Sequence, residues 1–314
     1  MIPAVVLTAG LATRLRPLSY VRAKGALPVA GEPLVRRILR WLAQQGVTEA
    51  VLNLHHLPHT LTSVVGDGSD LGVRVKYSWE QPVLGSAGGP KRALPLVGTG
   101  RALIVNGDTL TNLDLAPLIR AHEASGALVT LAAVPNTEPQ KYSGLAMAED
   151  GRMTGVIPRG STEASFHFFG VQVVETRAFD LVPEGVPYET IATLYPTLNA
   201  TEPGSVRIVR ADAESLDIGT PADYLETSLR MAARERRTAI AGRHLAIAAD
   251  ARIERSILWD DVVVEAAAMV KECVVTDGVR VPADTSWHGV TLRVATGELA
   301  PGERRIGDLA VAPL

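Results

Sequence analysis

The sequence predicts an α/β protein: a mostly parallel sheet with helices on both faces, followed by a short β-solenoid. Three observations lead there. Apolar, β-rich runs alternate with helix-patterned segments through the first two-thirds of the chain. Residues 253–264 then align with residues 270–281 at an offset of 17, with apolar anchors five to six apart. Hydrophobic residues make up 46% of the 314 but aromatic ones only 4%, so the core must be built from Ala, Val and Leu.

In chain order, strands are expected at Ala4–Leu7, Val51–Leu54, Val73–Tyr77, Ala102–Val105, Leu128–Ala133 and Gly170–Val174. Each is close to continuously apolar, the pattern of a strand buried on both faces. Helices are expected at Leu34–Gln45, Ala87–Leu94 and Leu115–Ser125, and a further helix at Tyr224–Arg236 leads to the repeat. Three short strands per coil fit the repeat spacing, and the two recognisable coils are too few to bury a core alone. The tail should therefore pack on the rest of the chain or on another subunit. Two domains are expected, residues 1–236 and 237–314.

Composition excludes several classes. A net charge of −3 does not suit a nucleic-acid binder. The first apolar run is too short for a membrane span and lacks a basic leader. The single Cys273 cannot form an internal disulfide, which suits the cytoplasm. It falls in an apolar repeat region and reads as a small core residue.

The chemistry concentrates after the first strand. Leu7-Thr8-Ala9-Gly10-Leu11-Ala12-Thr13-Arg14 is a turn of small residues followed by cations, with Lys24 further on. Small residues let backbone N–H groups approach phosphate oxygens, and the cations supply the charge that a polyphosphate needs. The turn is not a dinucleotide fingerprint, since the third glycine is missing and Arg14 falls where helix packing wants a small residue. In a parallel sheet the ligand site gathers at the carboxyl ends of the strands, so Asn106-Gly107-Asp108 should neighbour the first turn. Asp108 and Asp217 are candidates to hold a divalent cation beside phosphates, because Mg²⁺ typically takes one or two carboxylates plus phosphate oxygens. Each also reads as an ordinary turn former or cap. His55-His56-Leu57-Pro58-His59 looks like a metal cluster, but no acidic ligand or Cys accompanies it.

Residues 7–34 resemble the entry signature of the sugar-1-phosphate nucleotidyltransferases, with further matches in the family's order. These are Leu84-Gly85-Ser86-Ala87-Gly88, Asn106-Gly107-Asp108, Gly155–Gly160, Phe168-Phe169-Gly170-Val171 and Asp217-Ile218-Gly219-Thr220-Pro221. The resemblance covers about residues 1–230 and extends to mannose-1-phosphate guanylyltransferases and N-acetylmuramate-1-phosphate uridylyltransferases. It implies a Rossmann-like mixed sheet, a short left-handed β-helix of hexapeptide type, and transfer from a nucleoside triphosphate to a sugar-1-phosphate with Mg²⁺. No nucleic-acid or membrane partner is implied, and a homo-oligomer through the tail is expected.

The resemblance also assigns roles. Arg14 would hold the leaving β/γ-phosphates, Lys24 the α-phosphate and sugar phosphate, and Asp108 and Asp217 the metal. Leu7, Ala9, Gly10, Thr13, Glu80, Gln81, Gly85 and Ser86 would hold the nucleotide; Gly144, Arg159, Gly170 and Glu189 would hold the sugar phosphate. Glu189 reads equally as a helix-start acid. Three positions depart from the family pattern. Ala12 replaces a glycine and must make the turn without a positive φ; Ala23-Lys24-Gly25 keeps the cation but loses the rigidity of flanking prolines. Pro158-Arg159-Gly160 keeps a phosphate-binding cation but loses the sugar-binding carboxylate. A carboxylate at Glu80 suits the two N–H donors of guanine, which favours GTP with mannose 1-phosphate; alternatively Glu80 is a solvated loop residue and Gln81 reads the base. Uridylyl or thymidylyl transfer to N-acetylmuramate, glucose or heptose 1-phosphate is the alternative activity, and a catalytically silent subunit that binds nucleotide-sugar is the alternative class.

Overall fold

The computed structural model describes residues 2–236, 242–296 and 299–314. The expected start of the tail, residue 237, lies outside the described residues. The chain packs as two compact units that do not follow chain order: residues 1–10 with 35–216, and residues 11–34 with 217–314.

The first unit holds a nine-stranded sheet. Its elements are β1 (Ala4–Leu7), α1 (Leu34–Gln44), β2 (Glu49–Leu54), α2 (Pro58–Val65), β3 (Arg74–Trp79), α3 (Gly85–Val97), β4 (Arg101–Asn106), β5 (Leu110–Thr111), α4 (Leu115–Ser125) and β6 (Val129–Pro135). They continue with β7 (Gly144–Met147), β8 (Met153–Ile157), β9 (Phe166–Glu175), α5 (Tyr195–Thr201), β10 (Val206–Arg210) and β11 (Ser215–Leu216). The order β8-β7-β9-β4-β1-β2-β3 has β6 pairing β9 and carrying β10 on its far side. β1, β2, β3 and β4 are mutually parallel, as expected, whereas β9 runs antiparallel to β4, β6 and β7. The sheet is therefore mixed.

Local sequence explains the elements. In α1, Leu34, Val35, Ile38, Leu39 and Leu42 recur on one face and are all buried. The helix stops before Gly46, which takes φ 85°. α4 starts at Asp114, whose side chain accepts from the Ala116 N–H, and stops at Gly126 with φ 66°. α3 packs over β1 and β2, and Val5, Ala87, Leu94 and Ile104 join one continuous core. β9 begins four residues earlier than expected, at Phe166. A register shift between Phe168 and Gln172, centred on Gly170 at φ 92°, breaks its period-2 pattern and hid that start.

The second unit holds α6 (Pro221–Arg234) and the tail. Thr220 and Asp223 close a reciprocal cap at the helix start, with Pro221 in the first turn. Three parallel three-stranded ladders then run in the expected 17-residue register, as in Ile253 to Val270 to Trp287 and Leu258 to Val275 to Leu292. This is the coil arrangement expected of a β-solenoid. Among the described residues there are three rungs, not the two recognisable in sequence, because Trp287 and Arg293 interrupt the Val pattern of the last one. Left-handed residues mark the corners at the same spacing: His244, Asp261 and Gly278 at one, Arg255, Glu272 and Gly289 at another. Cys273 is fully buried in this core beside Val270 and Val275.

Residues 11–34 belong to this unit through Arg22. Its guanidinium donates to Asp277 at 2.5 and 2.7 Å and to Asp260 at 2.9 Å, and it lies 5.2 Å over the Trp259 ring. Burial would raise the Asp260 carboxyl, but hydrogen bonds from Arg243 and the Arg22 charge hold it down at about 2. Trp259, fully buried, donates to the Tyr224 hydroxyl at 3.0 Å, which in turn donates to the Pro28 carbonyl at 2.6 Å.

In the first unit His122 of α4 is buried between Thr130 and Glu175, 2.8 and 3.2 Å away. Burial holds its pKa below the ordinary 6.5, and the nearby Arg101 charge adds to the effect. A pKa lower in the folded than in the unfolded chain stabilises above about 6.5 and is lost as pH falls toward the folded value. The denaturant midpoint should therefore drop between about pH 7.5 and 5.5, and drop less in His122→Gln; equal drops in the two proteins would refute this.

Candidate active site

In the first unit the site begins where β1 ends. Past Leu7, the Thr8 and Ala9 N–H groups donate to Asn53 Oδ1 at 2.6 and 3.3 Å, and the Thr8 hydroxyl donates to the Asn53 carbonyl at 2.5 Å. Asn53, next to last in β2, passes the connection on: its Nδ2 donates to Glu80 Oε1 at 2.6 Å. The other Glu80 oxygen accepts from the Leu84 N–H at 2.9 Å, just before α3. Glu80 is thus 5% exposed and fully engaged, the reverse of a solvated loop residue. His55, from the cluster that looked metal-like, has its Nδ1 2.9 Å from the Glu80 carbonyl. Gln81 is exposed.

The Asp108 turn is clamped between neighbouring strands. The Gly107 N–H donates to the Leu7 carbonyl at 2.9 Å, and a Cβ on Gly107 would stand 2.3 Å from that oxygen. The Thr109 hydroxyl donates to the Phe169 carbonyl at 2.8 Å. Gly170, where a Cβ would stand 2.6 Å from that hydroxyl, lets β9 approach. Asp108 is left half-buried at the carboxyl end of β4, beside the end of β1 as the sheet topology required.

A cavity of about 360 Å³ opens there, lined by Leu7, Ser86, Asn106, Phe168, Gln172 and Glu189 among others. Residues far apart in sequence meet in it. The Ser86 hydroxyl donates to Glu189 at 2.5 Å and accepts from the Thr190 N–H at 2.9 Å. The Ala87 N–H donates to the Tyr188 carbonyl at 2.8 Å. Gly85 is required because a Cβ would meet Glu189 Oε1 at 2.6 Å. Glu189 precedes a π-helical turn at Thr190–Leu194 but caps it with no side-chain bond. Gly144 starts β7, where a Cβ would stand 2.1 Å from Ser165 Oγ, while its neighbour Ser143 lines the cavity. Arg159 is exposed on the turn after β8 and is not brought to this cavity. Sequence patterns missed Asn53 and Gln172. Both are buried polar residues within apolar strands, the only local signal they carry; the Gln172 amide oxygen accepts from the buried Tyr195 hydroxyl.

In the second unit one expected cation, Arg14, and one expected carboxylate, Asp217, come together. A Cβ on Gly219 would lie 3.1 Å from an Asp217 carboxylate oxygen, 3.1 Å from Asp223 and 3.4 Å from Arg14 Nη1. Thr13 and Arg14 are exposed on the 3₁₀ turn Thr13–Leu15. Lys24 opens a second 3₁₀ turn, Lys24–Ala26, closed by Ala26 N–H to Ala23 O at 2.8 Å. Its neighbours Ala23, Gly25 and Ala26 are buried.

The model of the nucleotidyl transferase family matches residues 3–234. The chain belongs to that family. Over 230 residues this member is 31% identical to the mannose-1-phosphate guanylyltransferase of Mycobacterium tuberculosis, covering 72% of this chain and 64% of that protein. It is 32% identical over 225 residues to the N-acetylmuramate alpha-1-phosphate uridylyltransferase of Neisseria meningitidis serogroup B, covering 69% of this chain and 93% of that protein. Its fold is that of HddC from Yersinia pseudotuberculosis, with a TM-score of 0.65 and 21% identity over 74% of this chain and all of that one.

One expectation is corrected. Ala12 does adopt a positive φ, 46°, in the left-handed region. An L-residue there costs roughly 1–2 kcal/mol, part of which a glycine returns as unfolded-state entropy. Ala12→Gly should therefore raise stability by about 0.5 kcal/mol, read from the denaturant midpoint; destabilisation would contradict it.

Proposed function

We propose that this family member transfers a nucleotidyl group from a nucleoside triphosphate to a sugar-1-phosphate, releasing pyrophosphate. GTP and mannose 1-phosphate are the favoured pair. The observation that carries the reading is the cavity at the carboxyl ends of β1 and β4, where the polar residues Ser86, Asn106, Gln172 and Glu189 stand among apolar ones such as Leu7 and Phe168, a lining suited to a hydroxylated ligand. The resident residues suit the chemistry. A phosphate oxygen of the sugar-1-phosphate, already anionic at neutral pH, forms the bond to the α-phosphorus. The bond between the α-phosphorus and its bridging oxygen breaks, and that oxygen leaves with the electron pair as pyrophosphate. No general base is needed; alignment and charge stabilisation are. Arg14 is the group to receive the leaving charge, and Lys24 the one to steady the α-phosphate and sugar phosphate.

Asp108 and Asp217 are each proposed as a ligand of Mg²⁺, which takes one or two carboxylates and completes its shell with water and phosphate oxygens. Both are half-buried at strand or turn ends. Bound there, the ion would neutralise charge on the phosphates. Leu7, Ala9, Gly10, Thr13, Gln81, Gly85 and Ser86 are proposed around the nucleotide, and Gly144, Gly170 and Glu189 around the sugar phosphate.

The guanine preference now rests on the mycobacterial relative's name, because both Glu80 oxygens are already engaged. The second reading, uridylyl transfer to N-acetylmuramate 1-phosphate, is favoured by the exposed Gln81 amide, which offers the donor and acceptor that uracil needs, and by the neisserial relative. Among the described residues no helix is long and apolar enough to cross a membrane; the cytoplasmic setting is part of this proposal. So is self-association through the tail, for which the exposed Ile247 on the first rung is the support.

A panel of five triphosphates against several sugar-1-phosphates, read by pyrophosphate release, tests this. Turnover is expected with at least one pair, and Asp108→Asn or Asp217→Asn should lower kcat by about 100-fold or more with the fold intact. Silence with every pair alongside nucleotide-sugar binding would replace the enzyme with a non-catalytic subunit, and wild-type turnover in both variants would remove the metal assignment.

A further inference from the structure

The Glu80 carboxylate faces the protein, not the cavity. We propose that Glu80 and Asn53 act as positioning residues, a buried carboxylate–amide tie that sets the backbone of the first turn for the nucleotide; this rests on the turn being the nucleotide-binding element.

The argument is one of hydrogen-bond polarity. Both Glu80 oxygens accept, each from one donor, Asn53 Nδ2 or the Leu84 N–H. Glu80 therefore dictates which way the Asn53 amide points. With Nδ2 toward the carboxylate, Oδ1 must face the Thr8 and Ala9 N–H groups, which it accepts. The opposite amide orientation would set an NH₂ against two N–H donors. One carboxylate thus orders a chain of bonds joining the turn after β1, the end of β2 and the loop before α3. Gly89 of α3 completes the enclosure, since a Cβ there would stand 2.5 Å from Glu80 Oε1 and 2.7 Å from Asn53 Nδ2. Buried in low dielectric, such a network holds its members to a single geometry. A consequence is that Glu80 does not read the base.

The tie can be inverted without changing net charge. In Glu80→Gln, the new NH₂ must face either Asn53 Nδ2 or the Leu84 N–H, so one donor is left unmatched. In Asn53→Asp, two carboxylates face each other. In the double variant Asn53→Asp with Glu80→Gln, the aspartate accepts from the turn and from Gln Nε2, and Gln Oε1 accepts from Leu84. Every bond is restored.

The experiment compares these three variants with the wild-type full chain. It measures GTP and UTP affinity by calorimetry, KM for triphosphate against KM for sugar phosphate, and hydrogen exchange at the Thr8 and Ala9 amides. Each single variant should weaken triphosphate binding by about tenfold or more, the effect of one buried charge-assisted bond. KM for the sugar phosphate and the GTP-to-UTP ratio should stay put, and exchange at Thr8 and Ala9 should quicken. The double variant should return to within about threefold of wild type in affinity and regain slow exchange. Wild-type affinity in a single variant, no recovery in the double, or a changed GTP-to-UTP ratio in Glu80→Gln would overturn the proposal, the last by returning Glu80 to base reading. Should the single variants not fold, a folded double variant with slow exchange supports the tie and an unfolded one overturns it. Absence of turnover by the wild type with any substrate pair would reject the proposed activity while the exchange measurements still decide the tie.

Discussion

A buried ionised carboxylate must have its oxygens satisfied, and at Glu80 that requirement organises the first unit's site. Leaving either oxygen without a donor in low dielectric would cost several kcal/mol, so its partners are held firmly. Asn53 and the backbone before α3 are those partners, and the turn after β1 hangs on Asn53. The glycines follow from the closeness that results. Gly89 lies against the tie, Gly107 against the Leu7 carbonyl, and Gly85 against Glu189. Each leaves space that a side chain would fill, and Gly85 also takes a left-handed φ of 76°.

Arg22 plays a comparable part in the second unit. Its guanidinium bridges Asp260 and Asp277 and stacks over Trp259, which ties residues 11–34 to the rungs of the tail. The turns bearing Arg14 and Lys24 therefore share a packed unit with the solenoid and with Asp217. The tail is part of the scaffold on which the cations stand. The strained Ala12 sits at the start of this segment, where its carbonyl accepts from the Leu15 N–H at 3.0 Å.

Legibility differed by element for physical reasons. α1 and α4 could be read to within a residue because their apolar period, their glycine stops and, in α4, the cap all lie in local sequence. β9 could be read only in part, since the shift at Gly170 breaks alternation there. The solenoid showed two rungs by its Val pattern; the third, through Ser286–His288 and Val290–Val294, is recognisable only by pairing with the second. Arg14, Asp108 and Asp217 could be picked out as candidates because charged residues in small-residue turns stand out from their surroundings. Asn53 could not: it is one polar residue in an apolar strand, and its meaning depends on Glu80, 27 residues away.

The sequence by itself determined the fold class, the 17-residue register of the tail, the family and the small-residue turn with its cations, because each depends on local periodicity or on contiguous motifs. Only the tertiary structure decided that Glu80 turns inward, that Ser86 meets Glu189, that Ala12 goes left-handed, and that residues 11–34 pack with the tail. Each of those outcomes is set by which donors, acceptors and surfaces distant segments bring to the same place. The conformational entropy of a single segment carries no record of them until the sheet and the solenoid have formed.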